Sequence, residues 1–248
     1  MSSSQQIVYE TELIPILKKD FINKYSKFND LKNYSIREEF ASSYGIPDLI
    51  FYRFNKSVFK KRVDDNVGPI LSKDILRTLL VIEGKKKITM SFLLKTLPYD
   101  EKVIKYKIIN FLIKNNYLSK SFKDENYWVE NHYQSCLDNL FSIEAKISDW
   151  KRGFYQAYRY KWFSNYSFLA IYEKYERPVI KNLSLFKKHN IGLVTVDTIK
   201  NNIKLIHRPK FDKPYSKEFS AVTFERLFND YVEKKASSQS LKHPLEII

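Results

Sequence analysis

Phe141-Ser142-Ile143-Glu144-Ala145-Lys146-Ile147 runs into Ser148-Asp149-Trp150-Lys151-Arg152-Gly153-Phe154-Tyr155-Gln156-Ala157-Tyr158, and the reading of this stretch decides the fold. The first seven residues read as a short buried strand, the rest as a helix. Strand side chains alternate between faces, so Glu144 and Lys146 share one face while Ile143, Ala145 and Ile147 enter a core on the other. An acid and an amine thus stand together on an otherwise apolar strand. Burial of such charges costs several kcal/mol unless they pair with each other, a metal or a substrate. The pair is therefore either a salt bridge on an edge strand or part of a reactive site.

Working outward, residues 166–172 read as a strand, 183–190 as a helix, 191–197 as a strand opening at Gly192, and 203–207 as a further strand. Strand, helix and strand joined by short links imply an α/β fold, a mixed sheet flanked by helices. Upstream, residues 46–54 read as a strand rich in β-formers, with Pro47 at its start where the missing donor is harmless. Asp48 then sits at the mouth of that strand. Residues 7–28 carry helical spacing, and residues 35–40 begin with a capping box in which Ser35 caps and Glu38 reaches back. The aromatic series Trp150, Phe154, Tyr158 and Trp162, spaced at four, reads as core packing.

Residues 55–69 turn from basic to Asp-, Asn-, Gly- and Pro-containing, the pattern of a linker. Beyond it, residues 72–82, 91–97 and 100–116 read as three helices, and 117–122 with 127–130 as a hairpin. Together they suggest an inserted winged-helix subdomain, with the third helix in the recognition position. The expected organisation is residues 1–69 as N-terminal helices and the first part of the core, 70–131 as the insertion and 132–235 as the second part. A last helix spans 223–235, and 236–248 form a flexible tail.

The chain has 248 residues and a formal net charge of +15, a field that selects polyanions, with nucleic acid first. Residues 72–123 carry twelve basic and four acidic side chains, which places an excess of eight of those fifteen charges in about a fifth of the chain. Lys102, Lys105, Lys107 and Lys114, on or near the recognition helix, are candidate phosphate contacts. A solvated lysine face on a protein-binding module is the alternative. Cys136 is the only cysteine, which excludes an intramolecular disulfide and a cysteine-based zinc site. The four histidines have no metal-ligand spacing. Without a long apolar run or a signal-like N-terminus, the expectation is a cytoplasmic protein with no membrane partner.

Pro47-Asp48, then Glu144-Ala145-Lys146, then Gln156 in the following helix resemble the PD-(D/E)xK, or restriction-endonuclease-like, nuclease superfamily. The likeness covers about residues 34–54 and 139–197, with the winged-helix-like segment inserted between core strands. It implies a metal-dependent DNA endonuclease of the kind used in restriction, mobile-element or phage-defence systems. A catalytically inactive DNA-binding or assembly subunit that keeps the fold is the alternative. In that family's pattern Asp48, Glu144 and the Ala145 carbonyl hold Mg²⁺, with Mn²⁺ possible, and Lys146 positions or helps to deprotonate the attacking water. Gln156 orients water or phosphate, and Glu39 (or Glu38) supplies the further carboxylate of the preceding helix. Lys151 and Arg152 take a neighbouring phosphate. DNA is the implied partner, with a homodimer or a second protein subunit possible.

Overall fold

The structure, a computed structural model, describes residues 8–26, 34–65, 67–121 and 126–238. In chain order its elements are α1 (Glu10–Ser26), β1 (Ser35–Glu38), β2 (Leu49–Phe54), α2 (Lys56–Asp64), α3 (Lys73–Val81), β3 (Lys87–Thr89), α4 (Met90–Thr96), α5 (Asn110–Lys114), β4 (Leu118–Lys120), β5 (Asn126–Val129), β6 (Leu137–Lys146), α6 (Trp150–Tyr160), β7 (Tyr166–Tyr172), α7 (Glu176–Lys181), α8 (Leu183–His189), β8 (Gly192–Asp197), β9 (Asn202–His207) and α9 (Lys217–Ser238). A π-helical stretch, Val103–Ile109, runs directly into α5. Two compact units form, one from residues 1–54 with 137–220 and the other from 55–136 with 221–248.

The first unit is a six-stranded mixed sheet in the order β1-β2-β6-β7-β8-β9. Strands β6, β7 and β8 run parallel, and β1-β2, β2-β6 and β8-β9 are antiparallel. Helix α1 covers one face, where Leu13, Leu17 and Phe21 pack with Phe51, Ile143, Phe168 and Val194. Helices α6, α7 and α8 cover the other, where Phe154, Val179 and Phe186 meet Leu169, Ile171 and Leu193. Cover on both faces explains why the parallel strands read as near-continuous apolar runs. It also places β6 inside the sheet, so the Glu144–Lys146 pair is not on an edge.

Three expectations are corrected. Residues 35–38 form a strand, because Ser35 to Glu38 pair in register with Tyr52 to Leu49 of β2. A six-residue segment gains little from helix nucleation, and ladder pairing outweighs one capping box. The expected linker contains α2, whose first turn is capped by the Asn55 side chain accepting from the Ser57 and Val58 amides. Helix α9 begins at Lys217, six positions before the expected start, and residues 236–238 belong to it. The rest of the expected tail, and residues 123–125 of the hairpin turn, lie outside the described residues.

The second unit has helix α3, strand β3, helix α4, the π-helical stretch with α5, and strands β4 and β5. Its three-stranded sheet has the order β3-β5-β4. Ile75, Leu76, Leu79, Ile88, Leu93, Ile104, Ile108, Leu112 and Tyr127 form its core. Its boundaries fall at 54/55 and 136/137 rather than 69/70 and 131/132, and residues from Ala221 onward belong to it. Within it, buried Arg62 donates to both oxygens of buried Glu225 at 2.7 and 3.1 Å, and Glu225 also accepts from the Ile70 amide.

Candidate active site

The ladder between β2 and β6 sets the site. Leu49 pairs with Ile143, so Asp48, one residue earlier, comes level with the start of the Glu144-Ala145-Lys146 triplet. Its carboxylate Oδ2 accepts from the Ala145 amide at 2.7 Å. The two distant acids thus converge through an ordinary antiparallel register. Glu144 is 1% exposed and Lys146 8%, on the face that α6 covers. The Lys146 ammonium lies 2.8 Å from Glu144 Oε1 and 2.9 Å from the Ala145 carbonyl, and 3.3 Å from Glu10 Oε2.

Glu10 was not singled out in the sequence. It opens α1, and acidic residues in a first helical turn are common for dipole reasons alone. What would have marked it is its helix: α1, not residues 35–40, is the helix that precedes the two strands. The carboxylate that this helix brings to Lys146 is Glu10. Glu38 instead lies exposed on β1, bonded to Lys18 at 2.5 Å. Glu39 is exposed at a positive φ of 46°, its amide donating to the Asp48 carbonyl.

Three carboxylates, Asp48, Glu144 and Glu10, face one ammonium, which leaves two negative charges unbalanced. Burial, and then repulsion by Asp48, pushes the Glu144 carboxyl above its ordinary value, and these outweigh the opposing pull of Lys146 and Tyr160. Burial likewise raises Asp48, against the Ala145 amide and Lys146. Burial alone would lower Lys146. The hydrogen bond and charge of Glu144, with Asp48 and Glu10, reverse this and hold it protonated.

Helix α6 completes the site because one of its stripes is built for it. At Gly153 an added Cβ would come within 2.8 Å of Lys146 Cγ and 2.5 Å of Leu169 Cδ1, so only glycine lets the helix settle over the lysine stem. Residues 153, 156 and 160 share that stripe. Tyr160, fully buried, lies 2.5 Å from Glu144 Oε2 through its hydroxyl. Gln156 lies on the same stripe between Gly153 and Tyr160, and its Oε1 is buried without a hydrogen-bond partner among the described residues. An orphaned buried acceptor is costly and marks a place for a donor such as water.

The donor set suits a hard divalent cation: carboxylate oxygens of Asp48 and Glu144, the Ala145 carbonyl, and an excess of two negative charges. Each engaged carboxylate oxygen accepts one hydrogen bond in this arrangement and keeps a lone pair. No cluster of three or more His, Cys, Asp or Glu side chains suited to a metal occurs among the described residues. A cation here would therefore rest on two side chains, a main-chain oxygen and water.

Lys151 and Arg152 lie exposed in the first turn of α6, where Asp149 caps the helix by accepting from the Arg152 amide. In the second unit Lys102, Lys105, Lys107 and Lys114 are all exposed, while Ile104, Ile108 and Leu112 of the same helical segment are buried. Lys107 is bonded to Asp74 at 2.7 Å, which weakens it as a phosphate contact. Tyr106, to which no role was given from the sequence, is 64% exposed beside Lys105.

No protein-family model matches the chain, and no curated protein matches it. Among solved structures, "SPO1766 protein of unknown function from Silicibacter pomeroyi" aligns over 44% of this chain and 69% of its own, at 12% identity and a TM-score of 0.28. That likeness is too slight to carry an argument. Among the described residues no helix is long and apolar enough to cross a membrane.

Proposed function

We propose that the protein is a divalent-metal-dependent DNA endonuclease of the PD-(D/E)xK type. The observation that carries this reading is the convergence of Asp48 and Glu144 beside the buried Lys146 ammonium, with negative charge in excess. Asp48, Glu144 and the Ala145 carbonyl would hold Mg²⁺ or Mn²⁺. Such a cation supplies charge neutralisation at the scissile phosphate and a more acidic attacking water.

The remaining work belongs to the chain. Lys146 donates hydrogen bonds and lends positive charge to the pentavalent phosphate, and positions or helps to deprotonate the attacking water. Gln156, with a buried acceptor to spare, orients the attacking water by taking one of its hydrogens. Lys151 and Arg152 bind an adjacent phosphate. Water is added across the P–O bond, leaving one phosphate monoester and one hydroxyl.

The second unit supports a DNA-binding role. Its order of helix, strand, two helices and two strands is compatible with a winged helix, in which Lys102, Lys105 and Lys114 would lie on the exposed side of the recognition segment. A homodimer or partner subunit would supply the second cut that duplex cleavage needs.

One observation favours the alternative, an inactive DNA-binding or assembly subunit. Glu144 has both oxygens engaged, by Lys146 and Tyr160, so the pair is satisfied without a metal. The test is plasmid cleavage with Mg²⁺ or with chelator, for the wild type and Lys146→Ala. Cutting that requires metal and Lys146 supports the endonuclease. DNA binding that survives chelation, with no cutting of duplex, single-stranded or branched DNA, supports the inactive subunit.

A further inference from the structure

We infer that Tyr160 is a positioning residue that sets the spacing of Asp48 and Glu144. The inference rests on the metal-site reading above and deepens it. The Tyr160 hydroxyl lies 2.5 Å from Glu144 Oε2 and 2.9 Å from the Ile46 carbonyl, two residues before Asp48. It thereby joins the strand that carries one acid to the turn that carries the other. Its ring also packs against this turn: a Cβ added at Gly45 would sit 2.9 Å from Tyr160 Cε1, and Gly45 has a φ of +138° that other residues rarely adopt. Residues 42–45 are themselves closed by the Ser42 amide and hydroxyl donating to the Gly45 carbonyl. The turn that delivers Asp48 is thus seated on the aromatic ring whose hydroxyl reaches Glu144.

A phenol has one proton and here has two acceptors, so it serves one at a time. With Glu144 negatively charged and free of other cations than Lys146, the carboxylate is the stronger acceptor. Held there, the hydroxyl fixes the plane of the Glu144 carboxylate on Oε2 and leaves Oε1, now on Lys146, as the oxygen that exchanges its partner for a cation, while the ring keeps the Asp48 turn seated beside it.

The test uses the full chain and Mn²⁺ alone, followed by titration calorimetry and by electron paramagnetic resonance of free Mn²⁺, beside wild type, Tyr160→Phe and a variant with p-aminophenylalanine at position 160. The Phe variant keeps the ring on Gly45 and removes the donor; the amino variant restores a donor at the para position. Expected is Mn²⁺ binding at least tenfold weaker in Tyr160→Phe and recovered in the amino variant. In cleavage, the Mg²⁺ concentration for half-maximal rate should rise by the same factor, while kcat at saturating Mg²⁺ stays near that of the wild type. Unchanged Mn²⁺ affinity in a folded Tyr160→Phe overturns the positioning role alone. Absence of Mn²⁺ binding by the wild type overturns this role together with the endonuclease reading. Should the Phe variant fail to fold, the amino variant decides: affinity within threefold of wild type, with Gly45→Ala weakened, supports the role, and any other pattern overturns it.

Discussion

Each unit contains a buried ion pair, and the two differ in how their charge closes. In the second unit Arg62 and Glu225 meet through two hydrogen bonds, one cation to one anion, with the guanidinium carbon 4.7 Å from the Phe228 ring centroid. That pair is balanced and walled in. In the first unit Lys146 meets Glu144 and Glu10 within the field of Asp48, so negative charge remains in excess, and Gln156 of the covering helix keeps a buried oxygen without a partner among the described residues. A buried pair that cancels itself is scaffold. A buried cation outnumbered by carboxylates, at a strand end under a glycine-bearing helix, is the arrangement on which the proposed endonuclease rests. The contrast teaches that burial of charge alone does not mark a site; imbalance does.

The sharpest way to break this contrast is to remove each cation. Lys146→Ala should lower the cleavage rate by on the order of a thousandfold or more while DNA affinity is kept, as read by plasmid nicking and fluorescence polarisation. Arg62→Ala should leave Glu225 buried and unpaired, at a cost of about 3–5 kcal/mol in denaturant melts, whereas Arg62→Met with Glu225→Leu should restore most of it. If Lys146→Ala destabilised as much as Arg62→Ala and left cleavage intact, the distinction would fail.

A smaller effect tests the surface charges. Changing Lys102, Lys105 and Lys114 to Gln should reduce the slope of log affinity against log salt by about 0.9 for each phosphate that these lysines neutralise, with no change in metal requirement. An unchanged slope would make this a solvated face.

The smallest effects concern the excess carboxylates. Asp48 and Glu144 are raised above their ordinary values by burial, so the folded metal-free protein binds protons more tightly than the unfolded chain. The sign follows: each ionised carboxylate costs stability, and the metal-free protein gains stability as pH falls through the raised values toward the ordinary carboxylate range. Asp48→Asn should therefore raise the metal-free melting temperature, by about 2–4 °C if the relief is about 1 kcal/mol. Added Mn²⁺ should stabilise the wild type strongly near pH 8 and weakly near about pH 4, where protons compete.

The sequence made the sheet legible where burial was two-sided. Strand 166–172 was read at its observed limits, because apolar runs between short links leave few alternatives. The Glu144–Lys146 face followed from alternation, whereas Gln156 was named only through the resemblance. Residues 35–38 misled because their capping box is local, whereas the pairing with β2 that makes them a strand comes from residues 49–52. Glu10 was missed for the reverse reason: its neighbourhood to Lys146 is set by the packing of α1, which no spacing in the chain reveals. The link from Tyr160 to both Ile46 and Glu144 was likewise out of reach, since no spacing rule in the chain connects the three. Residues 55–69 resembled a linker because Asn55 can begin a turn or cap a helix, and burial of Arg62 against Glu225 decides between them.

The account is tested most directly by a crystal of the wild-type protein soaked in Mn²⁺ and read for anomalous scattering. One ion should lie within about 2.5 Å of oxygens from both Asp48 and Glu144, with the Lys146 ammonium still beside them. An Mn²⁺-soaked crystal with no ion between those carboxylates, or with one held elsewhere by other residues, would contradict it.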